Sequence, residues 1–109
     1  MKPEGNPIID PIELAKRIGA NFRMALLLKT EIKGYKIDPN YQGKSGVIST
    51  FIYYDSIASM NSFAPDAKDT LYTIAEPYLT SFDEQIDTNS LTQTITITVS
   101  SQPAKGNIL

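Results

Sequence analysis

A chain of 109 residues with 41% hydrophobic side chains is long enough for one domain with a modest core and too short for two. It contains no cysteine and no histidine, which excludes disulfides, thiolate nucleophiles, cysteine-ligated metals and the commonest general base; no cofactor is expected, and a non-enzymatic role is. The net charge of −2 conceals an asymmetry: residues 1–54 carry eight basic and five acidic side chains, and residues 55–109 carry two and seven.

The chain opens with Met1-Lys2-Pro3-Glu4-Gly5-Asn6-Pro7 followed by Ile8-Ile9. No apolar signal core follows, and nothing approaches the ~18 apolar residues of a membrane span, so synthesis and use in a cytosol are expected, without a membrane partner. Residues 1–9 read as an extended arm. Asp10-Pro11-Ile12-Glu13 has the signature of a helix start, with Asp10 as N-cap and Pro11 at the first helical position. Leu14, Ala15, Ile18, Phe22, Ala25 and Leu26 then share one face at helical spacing, predicting a helix over about 11–29. Gly19 offers a competing stop, after which Phe22 to Lys33 alternate like a strand. On the helical reading Met24, Leu27 and Leu28 fall off the main stripe and require burial on a second side.

Gly34, Pro39, Gly43 and Gly46 make residues 33–46 loop-like. Val47 to Tyr54 is β-branched, aromatic and uncharged, which predicts a central strand. A second helix is expected to begin at Ala64-Pro65-Asp66, capped by Asp66 with Asp69 three residues on. Its apolar face would be Leu71, Ile74, Ala75 and Tyr78, and Pro77 would end it. Asp87-Thr88-Asn89-Ser90 reads as a turn. The clearest strand is Leu91 to Ser100, where Leu91, Gln93, Ile95, Ile97 and Val99 alternate with Thr92, Thr94, Thr96, Thr98 and Ser100. Residues 103–109 form a second arm tipped by Ile108-Leu109. The sum is an α+β domain over residues 10–102: two helices packed on a mostly antiparallel sheet of about three to five strands, between two extended arms.

Motifs with catalytic overtones are incomplete. Gly43-Lys44-Ser45 resembles the end of a phosphate-binding loop, but position 38, which needs glycine, is Asp38, and a strand rather than a helix follows. Asp38, Asn40, Gln42 and Gly43 match part of a calcium loop, but position 12 falls on Ser49, where a bidentate Glu is needed. Asp66 with Asp69 is explained by helix capping, and Asp83, Glu84 and Asp87 are expected in a polar turn.

Two features point to binding. The segment Lys16–Lys44 holds Lys16, Arg17, Arg23, Lys29, Lys33, Lys36 and Lys44 against only Glu31 and Asp38, while Asp55–Asp87 is acidic with Lys68 as its one cation. Arg17, Arg23, Lys33, Lys36 and Lys44 accompanied by Tyr35 and Tyr41 form a candidate anion or nucleic-acid site, although a pI near 5.0 is far below the usual ~9 of such domains. Complementary charge in the two halves also suits self-association, or equally two halves that lie side by side and neutralise each other within one copy. An uncharged strand with a Thr92, Thr94, Thr96 and Thr98 ladder, which as an edge would need cover from another subunit and is otherwise a sheet-centre strand, and the terminal pairs Ile8, Ile9 and Ile108, Leu109 complete that picture. The reading favoured is a homo-oligomeric ring, tube or shell component such as a virus or phage particle contains, with copies of itself and other assembly proteins as partners.

Overall fold

The computed structural model describes residues 11–27, 29–42 and 45–100. The expected arms, with Ile8, Ile9, Ile108 and Leu109, lie outside these residues, as do Lys44 and Leu28. Helix α1 spans Pro11–Leu26, strand β1 Ile32–Gln42, β2 Ser45–Tyr54, helix α2 Ile57–Ala75, β3 Leu79–Asp87 and β4 Thr92–Ser100; a 3-10 turn, Glu76–Tyr78, joins α2 to β3. The sheet is antiparallel throughout, in the order β1-β2-β4-β3. Each helix is followed by a hairpin whose second strand is central, so the fold is two αββ units joined along β2 and β4. This is the expected α+β class, two helices on an antiparallel sheet.

Both helices cover one face. From β2, Ile48, Thr50, Ile52 and Tyr54 enter the core; from β4, Gln93, Ile95, Ile97 and Val99 do so. The helices meet them with Leu14, Ala15, Ile18, Phe22 and Leu26 of α1 and Met60, Phe63, Ala64, Ala67, Leu71 and Ala75 of α2. Burying each large aliphatic or aromatic here stabilises the fold by about 1.5–3 kcal/mol before entropy is counted.

Helix α1 therefore continues through Gly19, and the strand alternative after it is excluded. A Cβ at Gly19 would lie 3.2 Å from Ile37 Cγ2 and 3.4 Å from Pro39 Cγ, so α1 abuts β1 here and a larger residue would need Ile37 to give by a few tenths of an ångström. The residues read as a loop are largely β1. Its glycine and proline are tolerated because it is an edge strand, where a missing N–H on one side breaks no ladder.

The second helix begins nine residues before the expected Asp66 cap. Ser56 is the N-cap, its Oγ accepting from the Ser59 amide at 3.0 Å, and Pro65 lies inside α2. Asp66 and Asp69 are thus mid-helix and cap nothing. Strand β3 begins just past the expected helix end and takes in residues expected in a polar turn; Asp83 and Glu84 are strand residues, and only Asp87 begins the turn, accepting from the Asn89 and Ser90 amides at 2.9 and 3.2 Å. Strand β4 is central rather than an edge, paired on both sides by β2 and β3. No helix of the described residues is long and apolar enough to cross a membrane.

Candidate functional site

The register assigns side chains to the sheet's second face, the one the helices leave uncovered. One row runs Lys36, Phe51, Thr94, Gln85; the next runs Asp38, Ser49, Thr96, Asp83. Thr92 pairs with Tyr53 and Thr98 with Val47. All four threonines are half-buried and form a strip down the middle of this face, so their lack of charge marks a sheet centre and exposes no backbone ladder.

The edges are where charge collects. On β1, Lys33 and Lys36 are exposed, with Lys36 Nζ 3.4 Å from Asp38 Oδ2. Above it α1 exposes Lys16, Arg17 and Arg23, and Arg17 is paired with Glu13 at 3.3 Å. On β3 stand Asp83, Glu84 and Asp87, and α2 beside it adds Asp66 and Asp69. The Asp87 carboxyl is held below its ordinary value by the Ser90 and Asn89 amides and the Ser90 hydroxyl. Because β1 and β3 are opposite edges, the charges of these two edge strands do not meet within one copy.

The anion-site residues are divided by the same geometry. Arg17 and Arg23 are on α1, while Lys33, Tyr35, Lys36 and Tyr41 are on β1. Tyr35 is half-buried and packed against the core on the helix side, whereas Lys36 faces the other way. Tyr35 is therefore no free stacking platform for a base. Asp38, Asn40 and Gln42 belong to an extended strand rather than a cation-binding loop, and among the described residues no three carboxylates gather to hold a metal.

A feature the sequence reading missed is a buried polar chain. Tyr54 Oη donates to Gln93 Oε1 at 2.7 Å, and Gln93 Nε2 donates to the Ala64 carbonyl at 2.9 Å and to Glu84 Oε2 at 2.7 Å. Tyr54 and Gln93 are both buried; burial, then the nearby carboxylate of Glu84 and that of Glu31, push the Tyr54 phenol well above its usual value. The one available signal was Gln93 itself, a polar residue in the apolar register of β4. The chain ends at a groove of about 230 Å3 between α2 and β3, lined by Met60, Ala64, Pro65 and Ile86 with Glu84 and Lys68.

No known protein family, curated protein or solved structure matches this chain.

Proposed function

We propose that this protein is a non-enzymatic assembly component that joins copies of itself head to tail, the basic β1 edge of one copy beside the acidic β3 edge of the next. The observation that carries this reading is the opposite charge of the two edge strands. Charged edges ordinarily resist pairing. Here β1 against β1 would oppose lysines, and β3 against β3 would oppose carboxylates; β1 against β3 alone matches sign, so the charges reject the wrong pairings and favour one. Strand direction agrees. Strands alternate across β1-β2-β4-β3, so a copy displaced by one sheet width sets its β1 antiparallel to β3, continuing the sheet.

Such a contact uses two different patches and closes into a ring if its rotation closes, or grows into a tube or filament if it does not. A component of a ring, tube or shell, of the kind virus and phage particles contain, is the role this suits. Mass in solution by light scattering tests it: multimers whose size rises with protein concentration and falls with salt are expected. A monomer at high concentration and low salt contradicts it. Retention on heparin that Lys33→Glu with Lys36→Glu abolishes, in a chain that stays monomeric, would favour the polyanion reading instead.

A further inference from the structure

The sequence pattern calls for a second cover for the end of α1, and among the described residues nothing supplies it: Met24 is 68% and Leu27 61% exposed. At 100° per residue Leu27 shares a flank with Lys16 and Arg23, continuing round from Gly19. Gly19 is where α1 abuts Ile37 and Pro39 of β1. This flank therefore lies on the β1 side, away from α2.

The groove lies at the opposite edge. Its apolar walls are Met60, Ala64, Pro65 and Ile86. Pro65 suits an open wall, since it has no N–H and its ring is apolar. Ile86 is 44% exposed. Glu84 contributes a carboxylate that accepts from Gln93 Nε2 and is in no ion pair among the described residues, and Asn61 and Lys68 complete the lining.

Height and spacing match. Tyr35, Ile52, Gln93 and Ile86 form one row across the sheet. Helix α1 ends at Leu26, just before β1 starts at Ile32, so Leu27 and Ile86 are at the same end of the sheet. Four strands at ~4.8 Å span about 19 Å, and two helices at roughly 8–10 Å span nearly the same. A copy displaced by one sheet width thus brings its α1 beside α2 at ordinary helix spacing. We propose that the groove between α2 and β3 receives Leu27 of the next copy, with Arg23 of the same flank meeting Glu84. This rests on the head-to-tail reading and adds a specific lock to it. The strand edges set direction, while burial of Leu27 supplies apolar affinity and a charge pair at the groove.

The chain has no cysteine, so disulfide trapping has no background. Leu27→Cys and Ile86→Cys are made in separate chains, both at exposed positions, and mixed under mild oxidation, with light scattering on the same samples. The expected result is a Leu27–Ile86 heterodisulfide forming at least about tenfold faster than in a control mixing Leu27→Cys with Thr73→Cys, an exposed site of α2 outside the groove. In a second variant, Leu27→Asp should weaken association by about tenfold or more without moving the melting temperature of the isolated chain. Multimers that form with no preferential trapping, or that ignore Leu27→Asp, overturn the groove contact and leave edge pairing standing. A monomer under all conditions overturns both.

Discussion

The first αββ unit, α1-β1-β2, and the second, α2-β3-β4, bring the same pieces to the fold, and each places the second strand of its hairpin at the sheet centre. Each also carries a residue that opposes its own helix. Gly19 in α1 costs about 1 kcal/mol relative to alanine, and Pro65 in α2 about 3 kcal/mol. Gly19 is explained within one copy by the close approach of β1, whereas Pro65 sits on the groove lining, facing outward. The units part company at their surfaces, where the first is basic and the second acidic. Packing dictates what the inward faces must be and leaves the outer edges free, so the opposite signs there are not set by the core.

If the units differ only at their surfaces, their cores should be equivalent. Phe22→Ala in the first and Leu71→Ala in the second remove fully buried side chains, with expected losses of about 3–5 and 2–5 kcal/mol. Each should shift a single denaturant transition seen identically by fluorescence and circular dichroism. Two separable transitions would break the comparison by showing units that fold apart.

The polar chain ties the units together, since Tyr54 closes the first and Gln93 and Glu84 belong to the second. Gln93→Leu leaves the Tyr54 hydroxyl, the Ala64 carbonyl and the Glu84 carboxylate without this partner and should cost about 1–3 kcal/mol by denaturant titration. Adding Tyr54→Phe should recover part of that, a coupling a double-mutant cycle would read.

A gain is expected at Thr50. Its Oγ1 is buried with no hydrogen-bond partner among the described residues, between Ile37 and Ile95 in the register. Thr50→Val should stabilise by about 1 kcal/mol in thermal melting; a loss would mean the hydroxyl is satisfied in solution.

The smallest effect lies at the β3–β4 turn. The lowered Asp87 pKa means that the folded state holds the carboxylate more tightly than the unfolded chain, whose value is near 3.8. Its contribution is present above that value and lost as pH falls through the lower folded one. Asp87→Ala should therefore lower the melting temperature slightly at pH 7, and the gap to wild type should narrow as pH falls below 3.8.

Much of this was legible in the residues. The stripe from Leu14 to Leu26 and the alternation of Leu91 to Ser100 both bury one face, and such faces leave a periodic trace. The edge strands leave little. In β1, Gly34 and Pro39 imitate a loop, and in β3 a register shift between Leu79 and Ser81 breaks the period while the outward positions are polar. Pro65 drew the start of α2 away from Ser56 because proline is commoner at a helix start than inside one. The Thr ladder was readable as an uncharged strip. Whether it formed an edge or a centre depended on β3, the strand that was hidden. Charge asymmetry was visible from the start, but its separation onto opposite edges required the strand order.

That separation makes the central claim directly testable by reversing one edge at a time. Lys33→Glu with Lys36→Glu gives a chain acidic at both edges, and Asp83→Lys with Gln85→Lys and Asp87→Asn leaves Glu84 as the one acid of β3 and turns that edge basic; all five positions are exposed. Sedimentation of each alone and of an equal mixture is the measurement. Head-to-tail pairing predicts that each variant stays monomeric alone and that the mixture assembles, because every β1 then meets a β3 of opposite sign only across the two variants. Variants that assemble alone as well as wild type, or a mixture that stays monomeric while wild type assembles, would contradict the account.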